Sequence, residues 1–159
     1  MKSIQTIIIG ISFISLSCSQ NREVICLRRT ACYGQCPIYC VTIFENGDVD
    51  YEGKEHVKVQ GKLHFIIPKD SVDYLLKNIQ AIQFFSLDDS YIVRITTKMN
   101  KGGNVDTTAF YVTDLPSTYI TVMIGSKKKT ILDYYGAPSE LRNLEVEIDR
   151  VTQTSRYIE

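Results

Sequence analysis

Apolar and polar positions alternate through most of the first half of the chain. The alternation runs through Val24–Arg29, Tyr39–Phe44 and Asp48–Glu52, then from His56 to Ile67 with a break at Gly61. A period of two predicts strands with one buried face. At Pro68 the period changes: Val72, Leu75, Leu76, Ile79 and Ile82 recur at helical spacing, predicting a helix over about 68–82. Pro68 suits its first turn, where the missing N–H costs nothing. Strand patterns return at Tyr91–Thr97, Ala109–Val112, Tyr119–Ile124 and Thr130–Tyr134, with a polar loop, Met99–Asp106, after the first. Pro138 opens a second helix over about 138–151, with Leu141, Leu144, Ile148 and Val151 on one face.

These elements predict an α+β domain over residues 23–152, a mostly antiparallel sheet of β-hairpins covered by two helices, with residues 153–159 as a tail. A faint echo supports two hairpin-plus-helix halves: Val41-Thr42-Ile43 … Asp50-Tyr51-Glu52-Gly53 against Ile120-Thr121-Val122 … Asp133-Tyr134-Tyr135-Gly136. Asn46-Gly47 marks the turn of the first hairpin. A two-residue turn would set Ile43 opposite Asp50. The three-residue turn Glu45-Asn46-Gly47 sets Ile43 opposite Val49 and Val41 opposite Tyr51, which gives one apolar face and one wet face. The three-residue turn is therefore expected.

The first residues follow a different pattern. Lys2, an apolar run from Ile7 to Leu16, and Ser17-Cys18 read as a signal peptide over residues 1–17; the run is too short to span a bilayer. Ser17-Cys18 resembles the lipobox of bacterial lipoproteins, with Ser15 standing where an aliphatic residue is usual. The resemblance implies acylation of Cys18, by a palmitate-type chain, and a lipid anchor holding the domain to a membrane through a short linker, residues 18–22. Plain secretion is the alternative.

Composition narrows the function classes. The 159 residues are 44% hydrophobic and 23% charged, which excludes a disordered or fibrous chain. Eighteen basic and eighteen acidic residues leave no net charge, which argues against nucleic acid as a partner.

Cys26, Cys32, Cys36 and Cys40 crowd the start of the domain. In an exported chain, four such thiols predict two disulfides. If Ile25 and Leu27 face the core, Cys26 points outward with Cys40, and pairing Ile25 with Val41 places the two cysteines directly opposite. The expected bridges are Cys26–Cys40 and, in the connecting loop bent by Gly34, Cys32–Cys36. The second pair also admits a redox reading, although thioredoxin-type pairs use two intervening residues and a helix N-terminus. A four-thiolate zinc site fits an oxidising compartment poorly.

The stretch Cys32-Tyr33-Gly34-Gln35-Cys36-Pro37-Ile38-Tyr39, with the later Tyr135-Gly136-Ala137-Pro138, resembles a family of uncharacterised bacterial envelope domains. Its members carry a Cys-x-Gly-x-Cys-Pro-x-Tyr signature and a Tyr-Gly-Ala-Pro stretch before the last helix. The resemblance spans about residues 24–150 and implies an envelope domain, often on lipoproteins, with no assigned activity.

Other candidates are weaker. Asp48-Val49-Asp50-Tyr51-Glu52-Gly53 begins like a calcium loop, but Val59 stands where the closing carboxylate belongs, so no metal site is expected. His56 and His64 have no partner that spacing identifies, and both read as surface residues. Lys127-Lys128-Lys129 reads as the exposed end of a hairpin. Tyr33, Tyr134 and Tyr135 are the candidate ligand contacts. With no nucleophile, base and orienting acid to assemble, the reading leans away from an enzyme and expects no cofactor. It favours a lipid-anchored binding or structural domain of the bacterial cell envelope, with an envelope protein as partner. A thiol–disulfide redox protein using Cys32 and Cys36 is the alternative.

Overall fold

The computed structural model describes residues 21–158; the expected signal peptide over residues 1–17 and the expected acylation site Cys18 lie outside the described residues. Strand β1 (Glu23–Arg29) buries Ile25 and Leu27 and turns Cys26 and Arg28 the other way. The same alternation builds β2 (Ile38–Phe44), β3 (Asp48–Glu55), β4 (Gly61–Ile66), β8 (Thr118–Ile124) and β9 (Lys127–Asp133). With the short β5 (Ser90–Tyr91) they form a seven-stranded sheet in the order β4-β3-β2-β1-β8-β9-β5. Its neighbours are antiparallel except β5 on β9.

Helices α1 (Lys69–Ala81) and α2 (Ser139–Thr152) set Val72, Leu75, Ile79, Leu141, Leu144 and Ile148 against the inward residues of the sheet, in one core cluster. The fold is α+β, as the two periods of the sequence require. The turn of the β2–β3 hairpin is the three-residue one. Ile43 pairs with Val49 and Val41 with Tyr51. Gly47 adopts φ 98° and its N–H returns to Phe44 O at 3.0 Å. A Cβ at Gly47 would meet the Ile67 carbonyl, so both the backbone angle and the close approach call for glycine there.

Several expectations are corrected. The stretch from His56 to Gln60 is a turn with His56 at φ 52°, so only β4 forms from that apolar run. The Tyr91–Thr97 strand divides into β5 and β6 (Arg94–Met99). Strand β6 pairs with β7 (Val105–Phe110) in a separate two-stranded sheet, and Ile95, Met99, Val105 and Phe110 stay exposed rather than joining the core. The tail contains a further turn of helix, α3 (Ser155–Ile158), and its Tyr157 ring lies 5.1 Å from Tyr51 and 5.7 Å from Phe65. An aromatic neighbour on each side outweighs terminal fraying.

The β1–β2 register also differs from expectation. Ile25 pairs with Ile43 and Leu27 with Val41, so Cys26 faces Thr42 while Cys40 faces Arg28. Alternation decides which face a side chain takes, and a slide of two residues preserves it.

Candidate functional site

Two polar arrangements stand out, one inside the molecule and one on its surface. Arg29 ends β1 at a position whose parity points into the core. Its guanidinium donates to Asp149 Oδ2 at 2.7 Å, Glu145 Oε2 at 2.9 Å and Thr118 Oγ1 at 2.8 Å. The Tyr39 hydroxyl and Thr154 Oγ1 both donate to Asp149 Oδ1, at 2.7 and 2.9 Å. The cluster ties β1, β2 and β8 to α2.

Electrostatics within the cluster are uneven. Burial works against the charge of Arg29, and Asp149, joined by Tyr39 and Glu145, more than offsets it, so the guanidinium is held more firmly protonated than usual. Burial, helped by Asp149, pushes the Tyr39 hydroxyl up. Glu145 is only 5% exposed, and its Oε1 is buried without a hydrogen-bond partner. Burial pushes its carboxyl up to about 7, opposed by Arg29 and reinforced by Asp133. Three signals in the chain point to this cluster: a cation at core parity, and acids at 145 and 149 beside the apolar stripe of α2. Their separation in sequence hides the pairing.

The surface arrangement is the outer face of the sheet, opposite the helices. Register builds two rows across it. One runs Thr130, Thr121, Cys26, Thr42, Asp50, His64; the other runs Leu132, Tyr119, Arg28, Cys40, Glu52, Lys62. None of these twelve residues is buried. Cys40, Thr42, Asp50, Glu52, Lys62 and His64 line a cleft of about 440 Å³. His64 Nδ1 lies 2.8 Å from Asp50 Oδ1, and that bond raises the imidazole above its ordinary value. Arg28 stacks over the Tyr119 ring at 4.3 Å.

The sequence-predicted residues divide accordingly. Cys32 and Cys36 are joined in a disulfide with Cα atoms 5.7 Å apart. It sits in an irregular loop rather than at a helix N-terminus. Cys26 and Cys40 are on the shared outer face but are free thiols, their sulfurs 3.4 Å apart. The direct opposition expected for them is corrected to a diagonal by the two-residue slide of register. Tyr33 is 91% exposed at the tip of the cysteine loop. Its N–H donates to Asp114 O at 3.3 Å, while the Tyr134 hydroxyl accepts from Leu115 N–H at 3.3 Å, so one loop braces both. Tyr135 lies apart, lining a smaller cavity with Arg94 and Phe110.

His64 is a surface residue, as expected, but it has a partner in Asp50. Lys129 departs from the expected exposed lysine end: its ammonium reaches the Leu87 carbonyl and lies 2.9 Å from Asp89. Asp48 takes amide donors from Asn21 and Asn46, each at 2.8 Å. Among the described residues, no three histidine, cysteine or acidic side chains are placed to hold a metal ion.

The family model for a domain of unknown function, DUF6438, matches residues 23–152, and the chain belongs to that family. No curated protein and no solved structure matches the chain.

Proposed function

We propose that this domain works in the bacterial envelope as a lipid-anchored, non-catalytic module that holds a partner protein on the outer face of its sheet. The observation that supports this most is the asymmetry of the fold. Two helices and the whole apolar core lie on one side of the seven strands, and the other side presents two ordered rows of charged, hydroxyl and thiol groups with a cleft among them. Mixed charge and hydroxyl groups suit a polar protein surface rather than an apolar ligand. Lys2, the Ile7–Leu16 run and Ser17-Cys18 support export and acylation at Cys18. Among the described residues, no helix is long and apolar enough to cross a membrane, so on this reading the lipid is the anchor.

The full chain, expressed in a bacterial host, tests both parts. Palmitate labelling is expected on the wild type and lost in Cys18→Ala, together with retention in the membrane fraction. A photocrosslinker at His64, on the outer face, is expected to capture a discrete protein that the same group at Tyr74, on α1, does not. An unlabelled chain in the cytoplasm would overturn the anchor, and identical capture from both positions would overturn the binding face.

A further inference from the structure

Cys26 and Cys40 are diagonal neighbours on the outer face, displaced by two residues in register, yet their sulfurs are 3.4 Å apart and hydrogen-bonded. A bonded pair lies at about 2.05 Å, so a modest side-chain shift separates contact from bond. The other two cysteines among the described residues are already joined to each other, leaving this pair as mutual partners. Cys40 also lines the outer cleft beside Glu52 and Lys62, within reach of a small molecule.

We propose that Cys26 and Cys40 form a reversible thiol–disulfide couple, closed across the two central strands by exchange with a low-molecular-weight disulfide. The inference does not depend on what the outer face binds or on the lipid anchor.

The two thiols act in sequence. Their sulfurs share one hydrogen bond in which either can be the donor, so whichever thiol ionises does so with the other's S–H pointing at it. That contact favours the first thiolate and holds the second thiol protonated while the first is charged. The first thiolate displaces one thiolate from the incoming disulfide and becomes a mixed disulfide. Once it is capped, the restraint is gone. The other cysteine loses its proton to solvent, attacks the capped sulfur and expels the second thiolate. Two protein thiols are oxidised and one external disulfide is reduced to two thiols. Excess thiol runs the same steps backwards.

The full chain equilibrated in glutathione buffers, acid-quenched, alkylated and peptide-mapped without reduction, tests the proposal. Chymotryptic cleavage after Tyr39 separates Cys40 from Cys36. Oxidised glutathione is expected to join the Cys26 and Cys40 peptides, and reduced glutathione to release them while the circular dichroism spectrum stays native. In Cys40→Ser glutathione should be trapped on Cys26, and in Cys26→Ser on Cys40, because neither variant keeps the thiol that would expel it. Thiols that stay free in oxidised glutathione, or Cys26 joined to Cys32 or Cys36, would overturn the couple. Loss of the adduct from either variant without added thiol would overturn the second step. The wild-type map decides the pairing even if a variant does not fold.

Discussion

Arg29 is the residue on which the buried polar cluster turns, and it serves its two acids unequally. Asp149 receives the shorter bond and two further donors, whereas Glu145 keeps one buried oxygen without a partner. The charge of Glu145 is accordingly the one the fold tolerates least. Its carboxyl is raised from an ordinary 4.5 to about 7. Below the unfolded value both states carry the proton and nothing is lost. As pH rises from there through about 7 the unfolded chain ionises first, so folded stability falls, by roughly 3 kcal/mol once ionisation is complete. Asp133, Asp149, Arg29 and Arg142 face the same region; Asp133, itself raised by burial, interacts with Glu145, so the variant reads Glu145 together with its effect on Asp133. Glu145→Gln, which cannot ionise, is expected to match wild type in urea denaturation near pH 4.5 and exceed it near pH 8. A constant difference across that range would show that Glu145 does not titrate there. Tyr39→Phe removes one donor to Asp149, and the loss should be about 1–2 kcal/mol in the same measurement. Arg29 reads as out of place in the sequence, a cation continuing the parity of Ile25 and Leu27. That the acids meeting it come from α2 is not readable there, since contact between residues over a hundred positions apart leaves no periodic trace.

At the scale of elements, period and turn chemistry carried most of the information. The helices begin one residue after Pro68 and Pro138, and the three-residue turn at Gly47 follows from matching apolar faces across β2 and β3. The β1–β2 register lacked such a determinant, because the intervening loop is long and irregular and parity survives a two-residue slide. The tail was illegible for another reason: four residues of helix carry no measurable period, and Tyr157 gains its place through long-range contacts. Its ring packs on Tyr51 and Phe65, and its carbonyl accepts from Val59 N–H at 3.0 Å. The half-buried ring thereby fastens the turn after β3 to the end of α2. Tyr157→Ala should lower stability by about 2 kcal/mol, less than a fully buried aromatic would, while Tyr157→Phe should be close to neutral because no hydroxyl bond holds the ring. Chemical denaturation of both variants checks this; equal losses in the two would mean that the hydroxyl, not the ring, is what matters.

Over the whole molecule, the order of strands is the least legible feature. Beside β1 lies β8, roughly ninety residues on, and only the assembled sheet shows that the rows of the outer face combine six strands, β8 and β9 among them. The same topology leaves the β6–β7 hairpin outside. Its strands pair only with each other, every residue of β7 is exposed, and Ile95, Met99, Val105 and Phe110 reach solvent. A lone two-stranded ribbon is marginal in water. Its base is the part that packs, since Gly136 leaves just enough room for the backbone at Val93 and Arg94. The body should therefore stand without the arm. Replacing residues 95–109 by Gly-Gly, which closes the hairpin directly between the paired Arg94 and Phe110, is expected to change stability by less than about 1 kcal/mol and Tm by less than about 6 °C. In the intact chain the hairpin amides should exchange with solvent far faster than those of β1, β2 and β8, because opening the arm exposes almost nothing that was buried. A large drop in Tm on removal, or protection of the hairpin equal to that of the central strands, would show that the arm is part of the cooperative core.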